Sequence, residues 1–346
     1  MFGKNLKYWR LRSGLSKKDL ASRVELTSMA ITHYENGERT PDLQSVRKLA
    51  AALNIKIGDL MASRENDHKY VHAEFRRNAR FGATSQEYVR ESAEEYFDRF
   101  FCVVDSLGQN SLPEAPVCHS LTATGDPEID ALALRDHLDF SGSGPIKDLI
   151  GAMENKGILI YLADIDNDQF SGMNGSVDDR PFVVLNSNMS GERQRSTLIH
   201  ELAHLFFKFD GLSDKDIEKN ATAISGAFLF PKDDAIRELG IRRTRITQDM
   251  VMVAVEYGIS MLLLTKRAQL LKIISDAVYK DFMIKASQHD WRKNEPTRIG
   301  KEHTELFEQL VIRAVGEEDI TMSKGAELLR ITYSDMMQMM HPKQEA

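Results

Sequence analysis

The sequence contains a pentapeptide, His200-Glu201-Leu202-Ala203-His204, whose residue types and spacing suit metal chemistry. In a helix, residues four apart lie on one face, so both imidazoles can point at one ion. Neutral imidazole is a good zinc ligand, and a catalytic zinc site keeps three protein ligands and a position for water. Glu201 lies beside the pair, where it can take a proton from that water. The pentapeptide therefore predicts a zinc-dependent peptidase centre.

The residues around this pentapeptide indicate a helix that is mostly buried. We expect the helix to run from about Gly191 to Lys208 and to end before Gly211, because glycine favours the end of a helix. The alternative is an ordinary amphipathic helix with solvent-facing histidines. Polar groups are rarely buried without partners, and a bound metal would supply one. The flanking apolar residues are Leu198, Ile199, Leu202, Ala203, Leu205, Phe206 and Phe207.

A third ligand is expected on the next helix along the chain. Ser213 is a predicted N-cap with an acid three residues on, and Pro231 ends the helix. Glu218 lies in the first turns, and a return of this length can bring it back to the histidines. Asp214 and Asp216 are the competing carboxylates, although their positions suit helix capping and the helix dipole better. The spacing therefore favours Glu218.

A second pattern occupies residues 1–62, which we predict to form five short helices. Ser16 and Thr27 cap the second and third helices, and Gly37 follows the third, Ser28 to Asn36. The segments that carry the pattern are Lys17-Lys18-Asp19-Leu20-Ala21 and Ile31-Thr32-His33-Tyr34-Glu35-Asn36-Gly37. This helix-turn-helix pattern closely resembles the Xre/Cro repressor family.

That resemblance implies that Ser28 to Asn36 is the recognition helix of a DNA-binding domain. Met29 stands where a polar residue is usual, so its contact with DNA is expected to be apolar, for example with a thymine methyl. The positions that the family assigns to base edges are Lys17, Ser28, Met29 and His33, and those near phosphates are Thr27 and Arg39.

The charge distribution supports a DNA-binding role for this segment. Residues 1–62 hold eleven Lys and Arg against six Asp and Glu, a balance of +5 in a chain of net charge −7. The remainder therefore carries −12. A basic small domain on an acidic body suits contact with phosphates by that domain alone. The alternative is a helical bundle used for protein contact.

The segments around the pentapeptide resemble the ImmA/IrrE metallopeptidase family. The resemblance implies zinc held by His200, His204 and Glu218, with Glu201 as the base. Thr222 and Ile224 depart from the family's usual asparagine and phenylalanine, beside the third ligand. The segments that carry the resemblance are Val183–Asn186, Glu192–His204, Glu218–Ala221, Phe228–Pro231, Val255–Ser260 and Lys266-Arg267. A further segment, Ile320–Leu329, resembles a helical tail of such proteins, a degenerate helix-turn-helix used for packing.

The predicted fold is α+β and mostly helical, with a five-helix Xre/Cro-type domain followed by a zincin-like domain. Three strands are expected before the HExxH helix, and an edge strand there could hold a peptide substrate by strand addition. An amphipathic helix from Thr84 to Leu107 is expected to connect the domains and to offer a dimer contact. The strands are Gly157–Leu162, Phe170–Met173 and Pro181–Asn186. The predicted domains are 1–62 (helix-turn-helix), 63–125 (linker and long helix), 126–280 (zincin-like) and 281–346 (helical tail).

Composition excludes several other classes of protein. No run approaches the roughly 18–20 apolar residues of a membrane helix, and no signal peptide opens the chain. We therefore expect a cytoplasmic, nucleoid-associated protein without membrane contact. Cys102 and Cys118 lack metal spacing and are expected to be free thiols. His68 and His72 lie four apart in a polar context and are interpreted as surface residues.

Two hypotheses of function follow from these patterns. In the first, the protein is a homodimeric regulator that binds a double-stranded DNA operator and carries a zinc endopeptidase. Family members cut repressor proteins, so the resemblance implies a partner regulator or this chain itself as substrate, with a cut near residues 63–80 as one route. In the second, the zincin fold senses a ligand, a metal or a protein partner without cutting, as in a non-proteolytic regulator or an antitoxin.

Overall fold

The computed structural model describes residues 2–62, 64, 68–72, 82–108, 111–291 and 294–341. Most of the predicted cleavage region 63–80 lies outside the described residues. The chain divides into two compact units. The first, here called the helical unit, comprises Met1–Tyr70, Glu74–Leu112 and Phe307–Ala346. The second, the sheet unit, comprises Val71–Ala73 and Pro113–Leu306.

Helices dominate the described chain, and short strands lie between them. The helices are α1 Phe2–Arg12, α2 Lys17–Arg23, α3 Ser28–Glu35, α4 Leu43–Leu53, α5 Ile57–Met61, α6 Ala83–Leu107, α7 Pro127–His137, α8 Leu149–Glu154, α9 Gly191–Phe206, α10 Asp214–Leu229, α11 Lys232–Leu239, α12 Gln248–Tyr257, α13 Met261–Leu270, α14 Asp276–Gln288, α15 Leu306–Gly316, α16 Met322–Leu329 and α17 Tyr333–Met339. The strands are β1 Tyr70–His72, β2 Leu121–Thr122, β3 Leu159–Ala163, β4 Gly172–Val177, β5 Arg180–Asn186 and β6 Phe207–Lys208. The predicted fold class is confirmed.

Among the first five helices, side chains cap the starts of α2, α3 and α4, and an apolar residue from each of the five faces inward. The Ser16 side chain accepts a hydrogen bond from the backbone N–H of Asp19, and Thr27 does the same for Ala30, both at 3.1 Å. Glu25 takes a left-handed conformation, φ 58°, in the turn between these two helices. The fully buried residues of this core include Leu6, Leu20, Ile31, Leu49 and Leu60.

A buried ion pair fastens α1 to α3. The Arg10 guanidinium donates to both carboxylate oxygens of Glu35, at 2.5 and 3.0 Å, and also to the backbone oxygen of Leu15 at 3.0 Å. Such a bidentate pair fixes geometry because the planar guanidinium matches the carboxylate. Helix α3 is therefore held at its last residue.

Helix α6 packs inside the helical unit instead of presenting an apolar face to solvent. Val89, Ala93 and Phe97 are fully buried, in a helix that packs against α1. The face expected to offer a dimer contact is therefore filled by the same chain. His68, expected at the surface, is also half-buried, with its ring 4.3 Å from that of Phe101.

The main sheet has four strands in the order β1-β4-β5-β3. β3 runs parallel to β5, and β4 runs antiparallel to it, with Gly172 opposite Leu185 and Gly175 opposite Phe182. Three of these strands correspond to the predicted ones. The fourth, β1, was not predicted, because it comes from the polar segment that follows the helix-turn-helix domain. A separate two-stranded sheet pairs β2 with β6 in parallel.

Helices α9 and α10 form the layer that will position the candidate site. α9 packs on β4 and β5, and α10 packs on α9 and α7. The Ser225 hydroxyl donates to the backbone oxygen of Ser196 at 2.8 Å and fixes α10 against α9. α9 ends at Phe206, two residues before the expected end at about Lys208, because Phe207 and Lys208 form β6.

No single helix within the described ranges is long and apolar enough to cross a membrane. One bent pair, α12 and α13, reaches that length and composition only when the two helices are taken together, across a bend of 103°.

Candidate metal centre and DNA-binding surface

Helix α9 presents His200, Glu201 and His204 from a mostly buried helix. Leu198, Ile199, Leu202 and Ala203 are each fully buried in the core of the sheet unit. The two histidines keep partial access to solvent, with 20% and 10% of their side chains exposed. Their Nε2 atoms lie 3.2 Å apart, as expected for residues that share a helix face.

Helix α10 brings Glu218 to the same point. The Ser213 side chain caps the helix by accepting from the backbone N–H of Asp216 at 3.3 Å, as predicted. One turn further on, Glu218 places Oε2 3.3 Å from His200 Nε2 and Oε1 3.4 Å from His204 Nε2. Within the described chain, these three residues form the group of His, Cys, Asp and Glu side chains whose ligand atoms lie within 4.8 Å of one another.

These distances fit a tetrahedral zinc ion. Nitrogen and oxygen ligands lie about 2.0–2.1 Å from zinc, so two ligand atoms of one tetrahedron lie about 3.3–3.4 Å apart. The two Nε2 atoms lie 3.2 Å apart, and one Glu218 oxygen lies 3.3 Å from His200 Nε2 while the other lies 3.4 Å from His204 Nε2, all close to that value. Two imidazoles and one carboxylate are also the ligand types that catalytic zinc uses. The residues present therefore suit the metal that the sequence predicted.

The competing carboxylates do not join this group. Asp216 bonds with the Ser213 hydroxyl at 2.6 Å and with Lys219 Nζ at 3.2 Å, which are capping and surface contacts. Asp214 is exposed in the first turn of α10. These positions match the capping and dipole roles that we expected for both residues.

Thr222 lies next to one of the histidines. Its Oγ1 is 3.4 Å from Nδ1 of His200. A partner that accepts from Nδ1–H leaves Nε2 unprotonated and available to a metal. Thr222 stands where the ImmA/IrrE resemblance expected asparagine, and its hydroxyl can still accept this bond.

Glu201 faces a different partner, on β4. The Asn174 side-chain amide donates to Glu201 Oε2 at 2.6 Å, and Asn174 itself is 7% exposed. Helix α9 and strand β4 approach closely here: a Cβ on Gly172 would lie 2.8 Å from Thr197 Cγ2 and 3.2 Å from Glu201 Cγ. One oxygen of Glu201 is therefore oriented by a buried amide, which suits a positioned base better than a solvated side chain.

The contact of Asn174 with Glu201 was not predicted from the sequence. A lone asparagine in a short strand gives no local signal, since its partner lies 27 residues away in sequence. The predicted strand did end at Met173, one residue earlier, so the alternation of faces along β4 could have placed residue 174 toward α9.

The six residues assigned to DNA contact lie in and around α2 and α3. Lys17 Nζ is 3.5 Å from Glu35 Oε2, and His33 Nδ1 is 3.3 Å from Glu38 Oε2. Thr27 caps α3, so its side chain also has a structural role. The other three are exposed, namely Ser28, Met29 and Arg39. Met29 is 65% exposed.

The last two helices repeat the geometry of α2 and α3. N-caps Thr321 and Thr332 are spaced as Ser16 and Thr27 are, eleven residues apart. Arg330, φ 58°, takes the left-handed position that Glu25 takes in the first pair. Its guanidinium lies over the rings of Tyr8 and Trp9, at 4.8 and 4.9 Å from the ring centres, inside the helical unit.

Comparisons with known proteins agree with both patterns. Residues 6–60 match the family described as Helix-turn-helix, and residues 153–269 match the family described as IrrE N-terminal-like domain. The second match includes His200, Glu201, His204 and Glu218. A Bacillus subtilis (strain 168) protein named "Uncharacterized HTH-type transcriptional regulator YqaE" is 30% identical over 67 residues. That similarity covers 19% of this chain and 58% of the relative's length.

The two matched segments lie in different units of the structure, the first in the helical unit and the second in the sheet unit. The chain therefore carries a segment similar to the Helix-turn-helix family, followed by a segment similar to the IrrE N-terminal-like domain of the M78 peptidases.

Proposed function

We propose that this protein is a DNA-binding transcriptional regulator whose sheet unit is a zinc-dependent endopeptidase that cleaves a regulator protein. The observation that carries the proposal is the convergence of His200, His204 and Glu218 within 4.8 Å, beside a further carboxylate held by a buried amide. A purely structural helix pair has no need for that donor set on a partly exposed surface.

The residues divide into ligands and a base. His200 and His204 would hold zinc through their imidazoles, and Glu218 would hold it through its carboxylate. When bound, zinc supplies Lewis acidity toward a water molecule and a peptide carbonyl. Glu201 accepts the proton of the attacking water and delivers it to the amine of the leaving product. Asn174 keeps one Glu201 oxygen occupied, so the other oxygen handles the proton.

The substrate is a protein, either a partner repressor or this chain itself. Because the proposed peptidase and the DNA-binding domain lie on one chain, the peptidase activity belongs to a regulator protein. The signal that triggers cleavage would act in the cytoplasm, where a nucleoid-associated regulator meets its operator.

The helical unit supplies the DNA-binding function. Two copies of α3, one from each subunit of a homodimer, would read half-sites about one helical turn apart on double-stranded DNA. Lys17, Ser28, Met29 and His33 face base edges in this arrangement, and Thr27 and Arg39 lie near phosphates. The basic balance of residues 1–62 supports the orientation of this domain toward DNA.

The decisive experiment compares Glu201→Gln with the wild type in cells that lack the native protein. Newly formed protein N-termini are identified by mass spectrometry in both strains, and Asp216→Asn serves as a matched control on an exposed carboxylate. We expect cleavage products in the wild type and in Asp216→Asn, reduced about 10²–10⁴-fold in Glu201→Gln. Glu201→Gln should retain its zinc.

If the same N-termini form at the same level with Glu201→Gln, the proposed mechanism is wrong. If the wild type forms none under any stress, the sheet unit senses and does not cut.

A further inference from the structure

A short strand from the helix-turn-helix side of the chain occupies the outer edge of the candidate peptidase sheet. β1, Tyr70–His72, is the neighbour of β4 in the strand order β1-β4-β5-β3. Val71 and His72 belong to the sheet unit, whereas the chain up to Tyr70 belongs to the helical unit. Three consecutive residues of the connecting segment therefore complete the sheet.

The edge that β1 covers is the one closest to Glu201. β4 carries Asn174, which bonds to Glu201, and Gly172, which lies against Thr197 and Glu201. β5 covers the other edge of β4 through an antiparallel ladder. An extended peptide that adds to this sheet beside Glu201 must therefore pair with β4 at the edge where β1 lies.

The contact between β1 and β4 is close. A Cβ on Gly175 would lie 2.4 Å from the backbone oxygen of Val71, so only glycine allows this approach. The His72 ring packs edge to face against Phe182 of β5, with ring centres 5.7 Å apart. Phe182 is fully buried, so His72 closes over the sheet's core.

The first residue of β1 is fixed within the helical unit. The Tyr70 hydroxyl donates to Asp98 Oδ1 on α6 at 2.9 Å, and Arg64 Nε donates to Asp98 Oδ2 at 2.9 Å. Burial, together with the neighbouring Asp98 carboxylate, raises the pKa of Tyr70, so the hydroxyl keeps its proton. The first residue of β1 is thus held by a buried polar cluster of the helical unit.

We propose that Tyr70–His72 is an intrachain competitor for the peptide-binding edge of β4. A substrate enters as an extended segment, pairs with β4 and displaces β1. This inference rests on the proposed function, because it names how substrate meets the peptidase site and what opposes its entry. The ligand class is an extended peptide recognised by backbone pairing.

The test measures binding of a fluorescent synthetic peptide with the sequence of residues 67–75, DHKYVHAEF. Full-length, zinc-loaded Glu201→Gln protein is used, so that nothing is cut. Val71→Pro removes a backbone donor and disfavours strand pairing, whereas Val71→Thr keeps strand propensity. The apparent affinity for the peptide is proportional to the fraction of protein molecules in which the β4 edge is not covered by β1. We therefore expect Val71→Pro to bind the peptide at least about tenfold more tightly than the protein with native Val71.

Val71→Thr in the Glu201→Gln protein should bind the peptide as weakly as the Glu201→Gln protein with native Val71. Equal affinity of Val71→Pro and the parent would overturn the inference. Circular dichroism and zinc content confirm that Val71→Pro is folded.

Hydrogen exchange on the chain with native Val71 provides a measurement that needs no β1 variant. In the protein alone, the backbone amides of Tyr70–His72 should exchange slowly. A saturating amount of the peptide should speed their exchange about tenfold or more. The peptide is isotopically heavy so that its fragments can be told apart from the same sequence in the protein. Unchanged exchange in these residues while the peptide is bound would contradict displacement. Neither measurement depends on cleavage, so failure to find a proteolytic product contradicts the proposed function alone.

Discussion

The metal cluster and the surface of α3 were both predicted from short sequence patterns, but the fold constrains them differently. In the cluster, three side chains from two helices must meet at one point, and they do so with separations of 3.2 to 3.4 Å. On α3, Met29 is 65% exposed and its position follows from helix geometry alone. The packing of the helices can therefore support or contradict a predicted metal site, whereas a predicted DNA-reading surface can be checked only with DNA bound.

The DNA surface carries the largest predicted effect. His33→Ala should cost about 1–3 kcal/mol on the preferred operator and relax sequence preference, since His33 is assigned to a base edge. Arg39→Ala should weaken binding to all sequences alike and reduce the salt dependence, since Arg39 is assigned to a phosphate. Gel-shift titrations at two salt concentrations, on operator and scrambled DNA, measure both.

Glu38→Gln is the control, because His33 Nδ1 lies 3.3 Å from the Glu38 carboxylate and that exposed pair contributes little to folding. If His33→Ala weakened binding to scrambled DNA as much as to the operator, its assignment would be wrong. If the folded protein bound no DNA at low salt, the helix pair would be a protein-contact surface.

The next prediction concerns the affinity of the metal cluster for zinc. Thr222→Val removes the hydroxyl 3.4 Å from His200 Nδ1 and keeps the side-chain shape. We expect zinc affinity to fall about tenfold, because partners of ligating histidines hold the ring and its tautomer. Competition with a chromophoric chelator measures the change, with Thr244→Val as a control on an exposed threonine elsewhere in the sheet unit. An unchanged affinity would show that Thr222 does not orient the histidine.

Helix ends and strand positions show how much could be predicted from sequence. Ser16, Thr27 and Ser213 were each predicted as N-caps, and each side chain accepts a backbone hydrogen bond at its helix start. Capping is a local interaction between residues three apart, so it can be inferred from a short window.

Long-range contacts could not be inferred in this way. Asn174 meets Glu201 across 27 residues, and Val71 reaches Gly175 across more than a hundred. His72 was interpreted as a surface residue, yet its ring packs on Phe182. The segment around β1 was predicted as a linker from its polar composition. Its pairing with a distant strand could not be predicted, because three residues are too few to show the alternation of a strand.

The smallest predicted effect concerns the frame of the sheet unit. Glu154 is buried at the end of α8 and accepts backbone N–H bonds from Glu305 and Leu306. Burial raises its pKa from 4.5 to about 7. Its contribution to stability is therefore full below about pH 4.5 and is lost as pH rises through 7, because the folded state must then bury a carboxylate.

Glu154→Gln keeps the acceptor and cannot ionise. We expect the variant to unfold like the wild type at pH 5 and to be more stable at pH 8, by roughly 1 kcal/mol. Thermal unfolding at the two pH values measures the difference, with exposed Glu308→Gln as control. A difference that is the same at both pH values would contradict the role of burial.

The central claim is that one zinc ion is held by His200, His204 and Glu218. Elemental analysis of purified wild type, His204→Ala and Asp216→Asn tests it most directly, because Asp216 lies on the same helix as Glu218 and outside the cluster. We expect about one zinc per chain in the wild type and in Asp216→Asn, and loss of most zinc from His204→Ala, whose circular dichroism should remain that of a folded protein. Full zinc content in His204→Ala would contradict the assignment.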